Sequence, residues 1–242
     1  IRLCCKPTAL MYVIDESFSI GEQDFYIQTE YLLKANKRFW PADIRTGLIR
    51  FSNNALMVAE ITEDDVEFAE LVRGMIYDPG ETYMATAIDL AKEKLLDQRR
   101  KKKTCELSVM VILTDGTPID EAETYVAAQA AKDLDIRIIM IAIGTGVDNT
   151  IVGRIASPTA RDQIFVQDYS LLYEKVEDLA IAVSDCECTE LEAAVTACSA
   201  ASTTTSPTST TSKTSRASRT SCNLRRPPRP PRLRQASRAL GL

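Results

Sequence analysis

Tyr12-Val13-Ile14-Asp15-Glu16-Ser17-Phe18-Ser19 carries an apolar strand into the start of a helix, and its Asp-x-Ser-x-Ser spacing offers one carboxylate and two hydroxyls, from Asp15, Ser17 and Ser19, to a single point. An all-oxygen set suits a hard divalent cation. Mg²⁺ is the first choice, with Mn²⁺ or Ca²⁺ as alternatives, because Mg²⁺ keeps several waters and takes few protein ligands at about 2.0–2.1 Å.

The strand leading to Asp15, Ala9–Ile14, is one of three continuous apolar runs rich in β-branched residues, with Leu107–Leu113 and Ile136–Ile143. Continuous rather than alternating patterning marks strands covered on both faces, as in a parallel sheet flanked by helices. Asp43–Phe51 and Gln163–Gln167 read as further strands. Ala55–Ile61 follows the Asn53-Asn54 turn and is therefore expected to run antiparallel. Helical periodicity falls between them: Phe25, Leu32, Ala35 and Phe39 up to Pro41, then Val66–Ile76, Met84–Leu96, Glu121–Leu134 and Leu171–Val183. This alternation predicts a doubly wound, mostly parallel α/β sheet with one short antiparallel strand and helices on both faces, a Rossmann-like arrangement. Ligands of such sheets bind at the carboxyl ends of the strands, where the strand order reverses.

Charge is divided unevenly. Of 29 Lys and Arg, nine lie in residues 193–242, which hold no Asp or Glu, so the first 192 residues carry 20 basic against 34 acidic side chains. A body with a net charge of 20 − 34 = −14 repels phosphate backbones, which argues against a nucleic-acid partner. With no histidine in 242 residues, Ser-His and Cys-His mechanisms and His-containing zinc sites are excluded. No apolar run approaches the roughly 20 residues of a membrane helix. The chain opens at Ile1 with neither a methionine nor a signal-like h-region, as a processed product or a fragment would.

The expected organisation is a Cys-containing leader (1–8), the α/β domain (9–184), a Cys-containing segment (185–198) and a disordered tail (199–242). That tail is rich in Ser and Thr and then in Arg and Pro, too poor in apolar surface to offset chain entropy. Cys4 and Cys5 flank one end of the domain, Cys186 and Cys188 the other. Since domain termini often lie close together, disulfides between these clusters would staple the ends in an oxidising, extracellular compartment. The alternative is free thiols, or a thiolate zinc site, in a reducing cell.

Two more oxygen-bearing loops extend the first. Thr82, in Pro79-Gly80-Glu81-Thr82-Tyr83, precedes a helix, and Asp115, in Leu113-Thr114-Asp115-Gly116, ends a strand. Taken singly, each of these residues reads as a helix cap or a turn residue. Their order and topology together favour one cation gathered from three loops.

At this point the chain resembles the von Willebrand factor type A domains, which include the I domains of integrin α subunits. The resemblance covers about residues 8–184 and rests on Val13-Ile14-Asp15-Glu16-Ser17-Phe18-Ser19-Ile20-Gly21, Gly80-Glu81-Thr82, Ile112-Leu113-Thr114-Asp115-Gly116 and Ile164-Phe165-Val166. It implies a metal-ion-dependent adhesion site (MIDAS) with Ser17, Ser19 and Thr82 binding through hydroxyls and Asp15 and Asp115 binding directly or through water. It also implies an open metal position filled by an acidic side chain of a protein ligand, coupling to the last helix, and a non-catalytic adhesion role. Three positions depart from the family pattern: Phe18 stands where a small residue is common, Glu81 where a glycine is frequent, and Met84 where a second threonine is frequent. Phe18 and Glu81 are thereby candidates for the ligand rim.

The run Arg99, Arg100, Lys101, Lys102 and Lys103 is a candidate contact for an anionic glycan, against a plain solvated loop. Rival readings are an intracellular scaffold of the same fold with free or zinc-bound cysteines, and a metal-assisted phosphohydrolase using Asp15. The latter lacks a second carboxylate where Ser17 stands. Mass spectrometry under non-reducing conditions is expected to find a bridge between the Cys4/Cys5 and Cys186/Cys188 clusters; free thiols at all four would favour the intracellular reading.

Overall fold

The computed structural model describes residues 7–39, 44–102 and 106–184. The four cysteines proposed as staples, Lys103, Cys105, Pro41 and the 199–242 tail lie outside the described residues. The six strands are β1 (Thr8–Asp15), β2 (Ile44–Phe51), β3 (Ala55–Thr62), β4 (Leu107–Thr114), β5 (Ile136–Ile143) and β6 (Gln163–Val166). They form one sheet in the order β3-β2-β1-β4-β5-β6, parallel throughout except for the antiparallel β2–β3 pair. The expected doubly wound sheet is therefore present, short antiparallel strand included.

Helices α1 (Gly21–Phe39), α2 (Asp65–Arg73), α3 (Met84–Lys102), α4 (Glu121–Lys132), α5 (Asn149–Ile155) and α6 (Val176–Val183) cover the two faces. Every residue of β1 is buried, and alternation decides which core each enters. Leu10, Tyr12 and Ile14 join Phe25, Leu32 and Ala35 of α1, Phe68 and Val72 of α2 and Leu179 of α6. Ala9, Met11 and Val13 join Ile88, Ala91 and Leu95 of α3, Ala128 of α4 and Val152 of α5. Burial on both sides is why the central strands read as unbroken apolar runs. α1 places Glu22 and Asp24 in its first turn and Lys37 and Arg38 in its last, complementing the helix dipole. Gly47 marks the irregularity in the β2–β3 pairing, where a Cβ would sit 2.9 Å from Ile61 Cγ1 and 3.1 Å from the Ala59 carbonyl.

Several elements differ from the periodicity reading. α2 ends at Arg73 rather than Ile76, because Gly74 closes it with bonds to Glu70 and Val72 carbonyls. α3 runs on to Lys102, so Arg99 to Lys102 extend a helix instead of forming a loop, as expected of strong helix formers. Arg99 is spent within the fold: its guanidinium donates to Ser108 Oγ at 2.7 Å and to the carbonyls of Leu134 and Asp135. Asp135 there adopts a positive φ of 56°, and Arg99 secures that turn. The stretch Leu171–Val183 is split between a 3₁₀ segment (Tyr169–Lys175) and α6, while α5, a single short helix capped by Asp148, escaped periodicity altogether. Among the described residues no helix is long and apolar enough to cross a membrane.

Ile112, fully buried on β4 beneath α3 and α4, tests this packing. Ile112→Ala is expected to lower unfolding free energy by about 2–5 kcal/mol in urea denaturation.

Candidate metal centre

β1 and β4 are neighbours, and the chain leaves β1 toward β2 on one side and reaches β4 on the other. The crevice between their carboxyl ends is the switch point of the sheet. Asp15 closes β1 and Asp115 follows β4.

Three loops meet there and are tied to one another. The Phe18 amide donates to the Gly80 carbonyl at 2.8 Å, joining the β1–α1 loop to the segment before α3. The Ile119 amide donates to the Thr82 carbonyl at 3.0 Å, joining that segment to the β4–α4 loop. Ser19 Oγ donates to Asp115 Oδ1 at 2.7 Å and closes the triangle. Ser17 Oγ and Ser19 Oγ are 3.1 Å apart. A Cβ on Gly116 would lie 3.7 Å from Ser19 Oγ and 3.9 Å from Thr82 Oγ1, so Thr82 faces the same point.

These separations fit a small cation. Neighbouring ligands around an octahedral Mg²⁺ at about 2.05 Å are about 2.9 Å apart; the Ser17–Ser19 and Ser19–Asp115 oxygens, at 3.1 and 2.7 Å, bracket that spacing. Asp15 is differently placed. Its Oδ1 accepts from the Ser17 amide at 2.8 Å and its Oδ2 from Thr114 Oγ1 at 2.6 Å, so both oxygens already hold protein donors. That arrangement suits action through a metal-bound water.

Electrostatics point the same way. Burial pushes the Asp15 carboxyl up to about 6, against the pull of its hydrogen bonds to Thr114 and Ser17, with Asp115 adding to the rise. Burial likewise raises Asp115, opposed by the Ser19 bond. Among the described residues neither carboxylate has a basic partner, since the neighbouring Glu16 takes Arg50 at 2.9 Å. A buried carboxylate without a counter-charge is costly unless a cation compensates it.

Several supporting residues went unrecognised in the sequence. Thr114 holds Asp15 in place, and Gln28, fully buried on α1, donates its side-chain amide to the Asp15 carbonyl at 3.1 Å. Tyr77 donates to the Ser17 carbonyl at 3.0 Å and accepts from the Gly21 amide at 3.2 Å, bracing the Ser-rich turn where Gly21 takes a φ of +73°. Asn53, read as a hairpin residue, accepts from the Glu81 amide at 2.9 Å and leaves no room for a side chain at Gly80. Asp120 caps α3 from the β4–α4 loop, accepting from the Met84 and Ala85 amides at 3.0 and 2.9 Å. All of these are single polar side chains acting across long sequence gaps, and no local spacing announces them.

Of the two rim candidates, Phe18 is 66% exposed between the two serines, and Glu81 is exposed beside Thr82. Ile119, 54% exposed, and Tyr83 add apolar surface on the other two loops. Met84, the third departure from the family pattern, points its side chain into the core beneath α3.

A doubly wound sheet with hydroxyl and carboxylate groups gathered from three loops at its switch point defines a class of α/β domain. The chain belongs to the von Willebrand factor type A domain family, whose model matches residues 10–178. It is 28% identical over 176 residues to the collagen alpha-1(XXI) chain of Homo sapiens, a match covering 70% of this chain and 18% of that one. It is 25% identical over 182 residues to vitrin of Mus musculus, covering 72% of this chain and 27% of vitrin. The chain thus spans less than a third of the relatives it matches. Among solved structures, proximal thread matrix protein 1 from the mussel byssus, with a zinc-occupied MIDAS motif, superposes with a TM-score of 0.68 at 15% identity, over 75% of this chain and 49% of that one. The pilus adhesin SpaC from Lactobacillus rhamnosus GG does so with a TM-score of 0.61 at 13% identity, over 75% of this chain and 31% of the adhesin.

Asp120→Ala removes the cap of α3 without touching a hydroxyl or carboxylate of the centre. A loss of about 1 kcal/mol is expected in chemical denaturation.

Proposed function

We propose that this chain is a divalent-cation-dependent protein-binding module, engaging an acidic side chain of a ligand protein through a metal held by Ser17, Ser19, Thr82, Asp15 and Asp115. The observation that carries this reading is the closure of three loops around oxygen donors that include only two carboxylates. Asp15 is already satisfied by protein donors, so a dication here keeps much of its positive field and attracts an incoming carboxylate. When bound, the ion supplies that Lewis-acidic coordination position. The chain's own residues would orient it, and Phe18, Ile119 and Tyr83 expose apolar surface on the three loops that carry those residues. Mg²⁺ fits the oxygen spacing; Mn²⁺ shares the preference for oxygen donors.

An adhesive role outside the cell is supported by the kinship with collagen chains and vitrin. A non-catalytic reading agrees with a site that presents hydroxyls and carboxylates but no imidazole anywhere in the sequence. The glycan contact through the basic run has weaker support, because Arg99 is committed to the Asp135 turn and Arg100 pairs with Asp97 at 3.0 Å.

Isothermal titration of the full chain is expected to show one Mg²⁺ site that Asp115→Ala and Thr82→Ala each abolish, with circular dichroism unchanged. Unaltered titrations in both variants would refute the metal assignment.

A further inference from the structure

The loop between β5 and α5, Gly144-Thr145-Gly146-Val147-Asp148, runs alongside the β4–α4 loop because β5 is the neighbour of β4 in the sheet. None of its residues is among the five proposed ligands. The loop is nonetheless pinned on both flanks. The Gly144 amide donates to the Val166 carbonyl at 2.8 Å, and Val147 is buried in the core covered by α3 and α4. At its midpoint the Gly146 carbonyl accepts from Thr117 Oγ1 of the β4–α4 loop at 3.2 Å.

Gly146 and Asp115 meet there backbone to backbone. A Cβ on Gly146 would lie 2.3 Å from the Asp115 carbonyl oxygen and 3.9 Å from Gly116 Cα, the tightest such approach at any described glycine. Ordinary contact begins near 3.4 Å, so a side chain at 146 forces the two loops apart by about 1 Å. The atom pressed upon is main chain and cannot turn aside as a flexible side chain would. It belongs to the residue whose Oδ1 accepts from Ser19 at 2.7 Å, and the next residue, Gly116, faces Ser19 and Thr82.

We propose that Gly146 is a positioning residue of the metal centre and sets its preference for a small cation, by letting Asp115 sit where a side chain at 146 would displace it. This rests on the metal reading proposed above. Shared equally between the two loops, the forced displacement is about 0.5 Å at Asp115. Ca²⁺–oxygen bonds, at about 2.3–2.6 Å, exceed Mg²⁺–oxygen bonds, at about 2.0–2.1 Å, by a similar amount, and Mg²⁺ demands near-ideal octahedral geometry where Ca²⁺ accepts irregular sets. A donor set opened by that much loses Mg²⁺ before it loses Ca²⁺. The β5–α5 loop is then a fourth wall of the centre, acting on a ligand residue through shape alone.

The test compares the full chain with Gly146→Ala, with Gly153→Ala, whose added Cβ on α5 meets no atom within 4 Å, and with Thr117→Val, which removes the hydroxyl tie to Gly146 without adding bulk. Calorimetric titrations with Mg²⁺ and, separately, Ca²⁺ are expected to give Gly146→Ala a Mg²⁺ Kd about tenfold weaker. The loss for Ca²⁺ should be smaller, so that the preference for Mg²⁺ falls by about threefold or more. Thr117→Val should shift the preference the same way by less, and Gly153→Ala should leave it unchanged. In the metal-free chain, hydrogen exchange of the Ile119 amide, which bonds the Thr82 carbonyl, should quicken in Gly146→Ala. A parent chain that binds Mg²⁺ alongside a Gly146→Ala variant within about twofold of it overturns the role of Gly146 and leaves the metal reading standing. Equal loss of both cations overturns it too, by showing a general weakening of the loops. Should Gly146→Ala fail to fold, an unchanged preference in Thr117→Val overturns the role. A parent chain that binds no Mg²⁺ overturns the metal reading and, with it, this one.

Discussion

Asp15 ends the most deeply buried strand of the sheet and carries its carboxylate into a position where no basic side chain among the described residues meets it. The rest of the site is arranged around that unbalanced group. Its own loop returns an amide from Ser17, β4 contributes the Thr114 hydroxyl, and α1 reaches over with Gln28 to hold the backbone. Those hydrogen bonds offset part of the desolvation, yet the carboxyl still rises to about 6. The divalent ion proposed above would supply what hydrogen bonds do not, a full opposite charge in a low-dielectric setting. β1 lies between β2 and β4, so its last residue reaches the switch point flanked on both sides.

The fold was largely legible from sequence because its signal is repetitive. Unbroken apolar runs at β1, β4 and β5, and periodic ones at α1 and α4, each contain many residues voting for one answer. Where few residues vote, the reading failed. α5 has seven residues, one of them Gly153, and its assignment depends on the Asp148 cap. The basic run after Gln98 looked like a loop because charge suggested solvent, whereas its helix propensity and the anchoring of Arg99 extend α3.

The candidate site divides along the same line. Asp15, Ser17 and Ser19 share one short segment and could be seen together. Thr82 and Asp115 were tied to them by topology and by family resemblance. Asp120, Asn53, Tyr77, Gln28 and Thr114 were invisible, since each acts through one or two hydrogen bonds to partners thirteen or more residues away in sequence. Phe18 and Glu81 stood out only against the family pattern. Their exposure reflects a loop whose backbone is fixed by the amide-to-Gly80 bond, leaving the side chains to project.

The cap that Asp120 places on α3 has an electrical consequence. A helix N-terminus at the rim of a binding crevice ordinarily draws anions by itself, through free amides and the positive end of the dipole. Here the first amides of α3 are consumed by a carboxylate from the neighbouring loop, which quenches that pull. If the proposed cation binds, attraction for a negatively charged visitor would thereby be concentrated in a removable ion instead of being built into the backbone. On the proposed reading, such a surface would work like a keyed socket, inert toward acidic proteins until a small cation is supplied.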